Sequence, residues 1–318
     1  MIEKIKKRMS GDKEAITPKS QSRIRKLQRG SKSGPVFSSC GDNVGAMLTA
    51  HDRRPEKVRL GSEWIHVSAL VKGDCLRAVQ IAAKEDLKAL EKPRAADRLL
   101  WCIGKAVEAH IRESFITMYG RENVLGQWEC KCGNLHYQGV GTEERCDRCE
   151  GLATKYFEYH ILNEETMLSG SPDVILRSGP QAPWTVAEIK SIKVVPKGGV
   201  RTSAPEFHTL MRPSRDHSLQ VLAYQRLLRM NGVDVTDEVL VCYGAKDYVM
   251  QSPYKFFTLD SEAEENVMAL QHLMDLGREY KEALRTEVLL ARSHLCPSCT
   301  APKAKSCPCV GSCFSRNH

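Results

Sequence analysis

The sequence predicts an α/β fold: a mixed central sheet flanked by helices, with a zinc-ribbon insertion and a cysteine-rich C-terminal metal staple. Three observations predict it. Short β-prone apolar runs at 174–176, 185–192 and 239–243 are bounded by Gly, Pro and Ser. They are interleaved with longer stretches of helical apolar periodicity at 95–119, 216–230 and 261–290. Nine of the 13 cysteines fall in two tight groups, which is the spacing of metal sites.

At 318 residues the chain can bury a sizeable core, and its hydrophobic content of 42% fits a globular protein. No apolar run approaches the length that spans a bilayer. The start, M-I-E-K-I-K-K-R-M-S, lacks the apolar core of a secretory signal, which predicts a cytoplasmic protein with no membrane contact. In such a reducing compartment clustered cysteines read as metal ligands, not disulfides. The net charge of +8 is local. Residues 1–35 hold 11 Lys and Arg against 3 Asp and Glu, and the rest of the chain holds 36 of each sign. Residues 1–58 therefore read as a basic arm, disordered when free and able to hold phosphates by counterion release. Residues 59–318 read as the folded domain.

From Trp64 the pattern becomes organised, with Ser68 as the expected N-cap of a helix that carries Cys75. Residues 95–119 read as one long helix holding Gly104 and His110, with Cys102 expected in its apolar series. Between 126 and 155, Cys130-x-Cys132 and Cys146-x-x-Cys149 flank Gly-rich hairpin material. Four thiolates at this spacing fit a tetrahedral zinc ion, and a site closed by four cysteines is structural.

Strand-like residues then lead to the chemical centre. If the runs at 174–176 and 185–192 pair antiparallel with Leu176 opposite Thr185, Asp173 falls opposite Glu188. Their Cβ atoms would lie about 5 Å apart. Two carboxylates that close repel unless a cation stands between them, and oxygen ligands favour Mg2+ or Mn2+. Lys190 shares the face of Glu188 and suits orienting water or offsetting charge on a phosphoryl oxygen. The backbone carbonyl of Ile189 is a further candidate ligand. Lys193, Lys197 and Arg201 follow in a Gly/Pro-rich loop, a candidate DNA-binding edge. On the helix at 216–230, Gln220 and Tyr224 stand four apart and face the same way. Residues 239–243 read as a buried strand holding Cys242. Residues 261–290 read as a helix with Ser261 as N-cap and Glu264 completing a capping box. The tail, 291–318, carries Cys296, Cys299, Cys307, Cys309 and Cys313.

Taken together, Pro172–Asp173, Glu188-Ile189-Lys190 and Gln220-x-x-x-Tyr224, with Gly104 and His110 upstream, resemble the PD-(D/E)XK nuclease superfamily in its RecB-type branch. By motif order the chain resembles the CRISPR-associated exonucleases of the fourth family and their phage-encoded relatives. The resemblance spans about residues 64–313. It implies a restriction-endonuclease-like core and a metal-dependent exonuclease acting on single-stranded DNA ends, in recombination, repair or spacer processing. A helicase or recombination protein is the partner class it implies beside DNA. It also implies that His110 is a metal ligand. A histidine at the position of His217 occurs in several relatives, which makes it a supporting candidate for DNA contact. In the iron–sulfur subgroup one cysteine near the start and three near the end hold a [4Fe–4S] cluster, here Cys75 with three of the five tail cysteines. Relatives have three C-terminal cysteines, so which three ligate stays open, as does a second zinc site made from the tail alone. Two other readings stand beside these: a non-catalytic zinc-ribbon DNA-binding protein, and a structure-specific endonuclease of the same superfamily.

Overall fold

A computed structural model of the chain describes residues 63–84, 95–138, 145–192, 207–246 and 252–315, apart from Asp147, Leu295, Ser306 and Pro308. The basic arm and Lys193, Lys197 and Arg201 lie outside the described residues. The chain divides into two compact units, Met1–Lys57 with Pro93–Leu100, and Val58–Lys92 with Trp101–His318. The fold set out here is that of the second.

Its centre is a seven-stranded mixed sheet. The strands are β2 (Val124–Cys130), β3 (Leu135–Gln138), β4 (Ala153–Phe157), β7 (Val174–Leu176), β8 (Thr185–Ile192), β9 (Glu238–Ala245) and β10 (Tyr254–Asp260). They run in the order β10-β9-β8-β7-β2-β3, with β4 also paired to β2. Only β8 and β9 are parallel. A parallel pair needs a crossover, and helix α4 (Arg215–Met230) supplies it. A smaller sheet joins β1 (Ile65–His66), β6 (Leu168–Gly170) and β5 (Ile161–Asn163).

The sheet is flanked by helices. On one face α4 buries Val221, Leu222, Ala223, Tyr224, Leu227 and Leu228 in one core with Val186, Val239, Val241 and Tyr243. Against the other lies the C-terminal part of α3 (Ala95–Tyr119), with Ile111 and Phe115 fully buried. Glycine permits that approach: a Cβ on Gly244 of β9 would stand 2.4 Å from Val107 Cγ1, and one on Gly104 of α3 2.8 Å from Ser191 Oγ. The same packing corrects one expectation. Cys102 is exposed, because the buried stripe of α3 begins at Gly104.

Two helix ends also differ from expectation. The stretch after Trp64 forms two short helices, α1 (Val67–Val71) and α2 (Leu76–Lys84), split at Gly73, whose φ is 73°. His66, not Ser68, caps α1, taking the Ser68 N–H on its ring nitrogen. Cys75 lies just ahead of α2, its carbonyl accepting from the Val79 N–H. Helix α5 (Glu264–Arg285) starts three residues after Ser261 and has no side-chain cap. Ser261 is buried, and its hydroxyl accepts from Gln225 of α4 at 3.0 Å, so it ties two elements together instead of capping one.

The C-terminus folds back on α2. Short helices α6 (Pro302–Lys305) and α7 (Val310–Ser315) bring Cys309 and Cys313 into a small core with Ile81. Arg77, buried, donates to the carbonyls of Leu290 at 2.7 Å and Cys313 at 3.4 Å. Gln80 donates to Val288 and accepts from Leu290. No helix among the described residues is long and apolar enough to cross a membrane.

Candidate functional site

β7 and β8 pair in the register that brings Asp173 in line with Glu188: Leu176 pairs Thr185, Ile175 pairs Val186 and Val174 pairs Ala187. Asp173 is the next residue in line. Its Oδ2 accepts the Ile189 N–H at 2.6 Å. Glu188 is 1% exposed and Asp173 8%. Burial, then each other's charge in the case of Glu188, holds both carboxyls above their ordinary range: Glu188 is pushed up to about 8 and Asp173 to about 6. Lys190 contacts Glu188 Oε1. Burial works against its charge, yet the Glu188 and Asp173 carboxylates outweigh that and raise its pKa. Glu188 Oε2 is buried with no hydrogen-bond partner among the described residues. A carboxylate oxygen left dry in this way is costly unless something else meets it.

The helix behind the pair is placed by its apolar stripe. Gln220 Nε2 donates to Tyr224 Oη at 2.9 Å, as their spacing predicts. Tyr224 is fully buried, and burial followed by the Glu188 charge raises its pKa. Its ring fits because β6 has glycine beside it: a Cβ on Gly170 would lie 2.1 Å from Tyr224 Cε1. His217, one turn nearer the start of α4, lies 2.8 Å from Tyr243 Oη through Nδ1.

His110 does not join the carboxylates. It is exposed on α3, its ring centroid 6.4 Å from that of Tyr254 on β10. Val107 and Ile111 occupy the contact with Gly244, which turns His110 toward the β10 side and Glu108 toward β8. Ser191 Oγ donates to Glu108 at 3.3 Å, and the Glu108 and Glu158 charges both raise Asp173. Neither glutamate belongs to a motif. Glu108 was findable, since it lies one turn beyond Gly104 on the same face; nothing in the sequence marks Glu158, which Arg112 holds at 3.2 Å.

At the far end of β2 the four ribbon cysteines converge. Cys130, Cys132, Cys146 and Cys149 place their sulfurs within 4.8 Å of one another, and this is the one such group of ligand atoms among the described residues. Cys130 Sγ is 2.9 Å from Cys149 and 3.2 Å from Cys132. Four thiols this close suit a metal such as zinc, which replaces thiolate repulsion by four bonds. The ribbon is continuous with the central sheet. The first two residues of β2 pair with β7, the rest with β3 and β4. Tyr156 of β4 reaches back toward the carbonyls of Leu125, at 3.4 Å, and Asp173, at 3.5 Å.

The six outer cysteines are not drawn into such a group. Cys296 is buried, Cys299 exposed and Cys75 half-buried. Cys307, Cys309 and Cys313 lie at the small core on α2, with Cys309 Sγ 3.2 Å from the Ala78 carbonyl. No protein-family model matches this chain, and no curated protein matches it.

Proposed function

We propose that the chain is a metal-dependent deoxyribonuclease, an exonuclease acting on single-stranded or free DNA ends, with a restriction-endonuclease-like core. One observation carries this reading. Asp173 and Glu188 are buried beside each other with one glutamate oxygen unpartnered and Lys190 at their edge. That donor set fits Mg2+ or Mn2+: hard oxygens, surplus negative charge and a dry acceptor. Such an ion supplies Lewis acidity, activating water and offsetting charge on a phosphoryl oxygen. The rest is done by side chains. Lys190 presents an ammonium to a phosphoryl oxygen. Gln220 fixes the Tyr224 phenol, leaving the phenol's own hydrogen for an acceptor in the site. Glu108 takes the place on α3 that the resemblance gives to His110.

The tail adds a second part to the proposal, a [4Fe–4S] cluster held by Cys75 and three tail cysteines. Its support is the docking of Cys307, Cys309 and Cys313 on the helix that Cys75 leads into. Zinc in the ribbon is the structural partner of both.

End-labelled single-stranded and duplex oligonucleotides test the activity. Wild type should shorten them from an end with Mg2+ or Mn2+, and D173N and K190A should not. A shift in mobility without shortening would reject the nuclease in favour of a DNA-binding module. Anaerobic purification tests the cluster: brown protein with about four irons and one zinc per chain is expected. Colourless protein with two zincs and no iron rejects it.

A further inference from the structure

Tyr156 stands where β2 leaves β7. Strand β2 pairs with β7 only at Val124 and Leu125, and beyond that with β3 and β4. Because β3 lies on the edge of β2 away from β7, β4 follows β7 along the same edge. In continued register Gly126 and Gln127 would face Val174 and Asp173, but Gln127 pairs with Tyr137 and Phe157 instead. Asp173 therefore lies beyond the last β2–β7 pair. The group that reaches its carbonyl is the Tyr156 hydroxyl, 3.5 Å away, whose one hydrogen is shared with the Leu125 carbonyl at 3.4 Å.

Both distances are long, so neither bond is strong by itself. Packing sets the position of the ring. A Cβ on Gly126 would lie 2.1 Å from Tyr156 Cε2, so glycine is what lets the ring lie across β2. Trp128, fully buried and paired opposite Tyr156, meets it edge to face with ring centroids 5.2 Å apart. Arg112 of α3 stands over the ring, 5.7 Å from its centroid, and holds Glu158 at 3.2 Å.

Two sites meet in this one side chain. At the start of β4, Ala153 pairs with Cys130, whose sulfur lies 2.9 Å from that of Cys149, so the four-cysteine group pins β4 to β2. Near its other end Tyr156 touches the residue that carries the Asp173 carboxyl, and that carboxyl accepts the Ile189 N–H at 2.6 Å. A carbonyl cannot shift without moving its own side chain, and the affinity of a carboxylate pair for a cation depends on such placement.

We propose that Tyr156 is a positioning residue for Asp173, and that through it a metal held by Cys130, Cys132, Cys146 and Cys149 tightens the hold of Asp173 and Glu188 on a divalent cation. The ribbon then does more than stabilise a fold: its metal and the cation are coupled, each favouring the other. The cation half rests on the nuclease proposal above; the placement of Asp173 does not.

The test uses full-length protein labelled with 15N-isoleucine and 15N-leucine, without DNA or divalent cation, so that the Ile189 amide reports where Asp173 sits. Y156F keeps the ring and removes the hydroxyl. It should shift the Ile189 amide and speed its hydrogen exchange, while Leu222 of α4 stays unmoved. Stripping zinc with a chelator should do the same to wild type and add little in Y156F, because both act through one contact. K155A, which removes only an exposed ion pair with Glu129 from the same strand, should leave Ile189 as it is. With zinc retained, Mn2+ binding followed by electron paramagnetic resonance should weaken about three- to tenfold in Y156F. An Ile189 amide unchanged in Y156F, equal effects of zinc removal in wild type and Y156F, or changes that spread to Leu222 overturn the proposal. DNA cleavage by wild type with an unmoved Ile189 amide in Y156F sinks this link and leaves the nuclease. A responsive amide in a protein that neither binds Mn2+ nor cuts DNA sinks the nuclease and leaves Tyr156 as the residue that places Asp173.

Discussion

Glu188→Gln replaces a buried ionisable carboxyl by a neutral amide with almost no change in volume, and its consequences have a definite sign. In the folded chain the Glu188 pKa lies well above its ordinary 4.5, at about 8, because the site is dry and Asp173 is adjacent. The native state therefore holds this proton more tightly than the unfolded state. Its contribution to stability is full below pH 4.5 and is lost as pH rises through about 8. A displacement of that size corresponds to on the order of 3–5 kcal/mol, part of it shared with Asp173. Without divalent ions, the Tm of wild type should fall between pH 5 and pH 8. That of E188Q, which has no proton to lose there, should fall much less, making the variant the more stable at pH 8. Mn2+ should raise the wild-type Tm more at pH 8 than at pH 5, because it replaces the proton, and should do little for E188Q. Thermal unfolding followed by circular dichroism, with zinc left in place, reads all of this. Parallel pH slopes for the two proteins, or equal stabilisation by Mn2+, would refute the reasoning.

The remaining predictions concern the elements around the site. Cys130→Ser should lower bound zinc from about one per chain to none and open the ribbon to proteases. Because β2 runs from the ribbon into the sheet, global Tm should fall as well. Arg77→Met should cost about 1–3 kcal/mol by leaving the Leu290 carbonyl without its donor, while the Cys313 carbonyl keeps Arg292 at 3.1 Å, and limited proteolysis should then release the tail first. Gly277→Ala should cost about 1–3 kcal/mol in a denaturant titration, since its Cβ would sit 2.4 Å from the backbone oxygen of Thr166. An unchanged midpoint would show that α5 can move off that loop.

Residue pattern carried the strands of the central hairpin. Apolar, β-prone runs at 174–176 and 185–192 marked the two strands, and the pairing assumed for them, Leu176 opposite Thr185, is the one formed, which brings Asp173 in line with Glu188; the register itself was not fixed by the sequence, because both runs are buried on both faces. The Gln220–Tyr224 bond is equally local, a matter of four residues on a helix. The cysteine pairs likewise bring their sulfurs together through hairpin geometry that neighbours impose on neighbours. What failed to read through depended on distant packing. The capping role expected of Ser261 was lost to a hydrogen bond from Gln225 on another helix. His110 went to the β10 side and Glu108 to β8 because Gly244 on β9 seats Val107 and Ile111, a choice α3 does not make by itself. The 126–155 insertion turned out continuous with the central sheet, because β2 extends past the ribbon to pair with β7. Periodicity and spacing determine which residues share an element and a face, since those follow from backbone geometry within a few residues. Which face meets which, and so which side chains surround the carboxylates, is decided only when helices close on the sheet and glycines set how near they come.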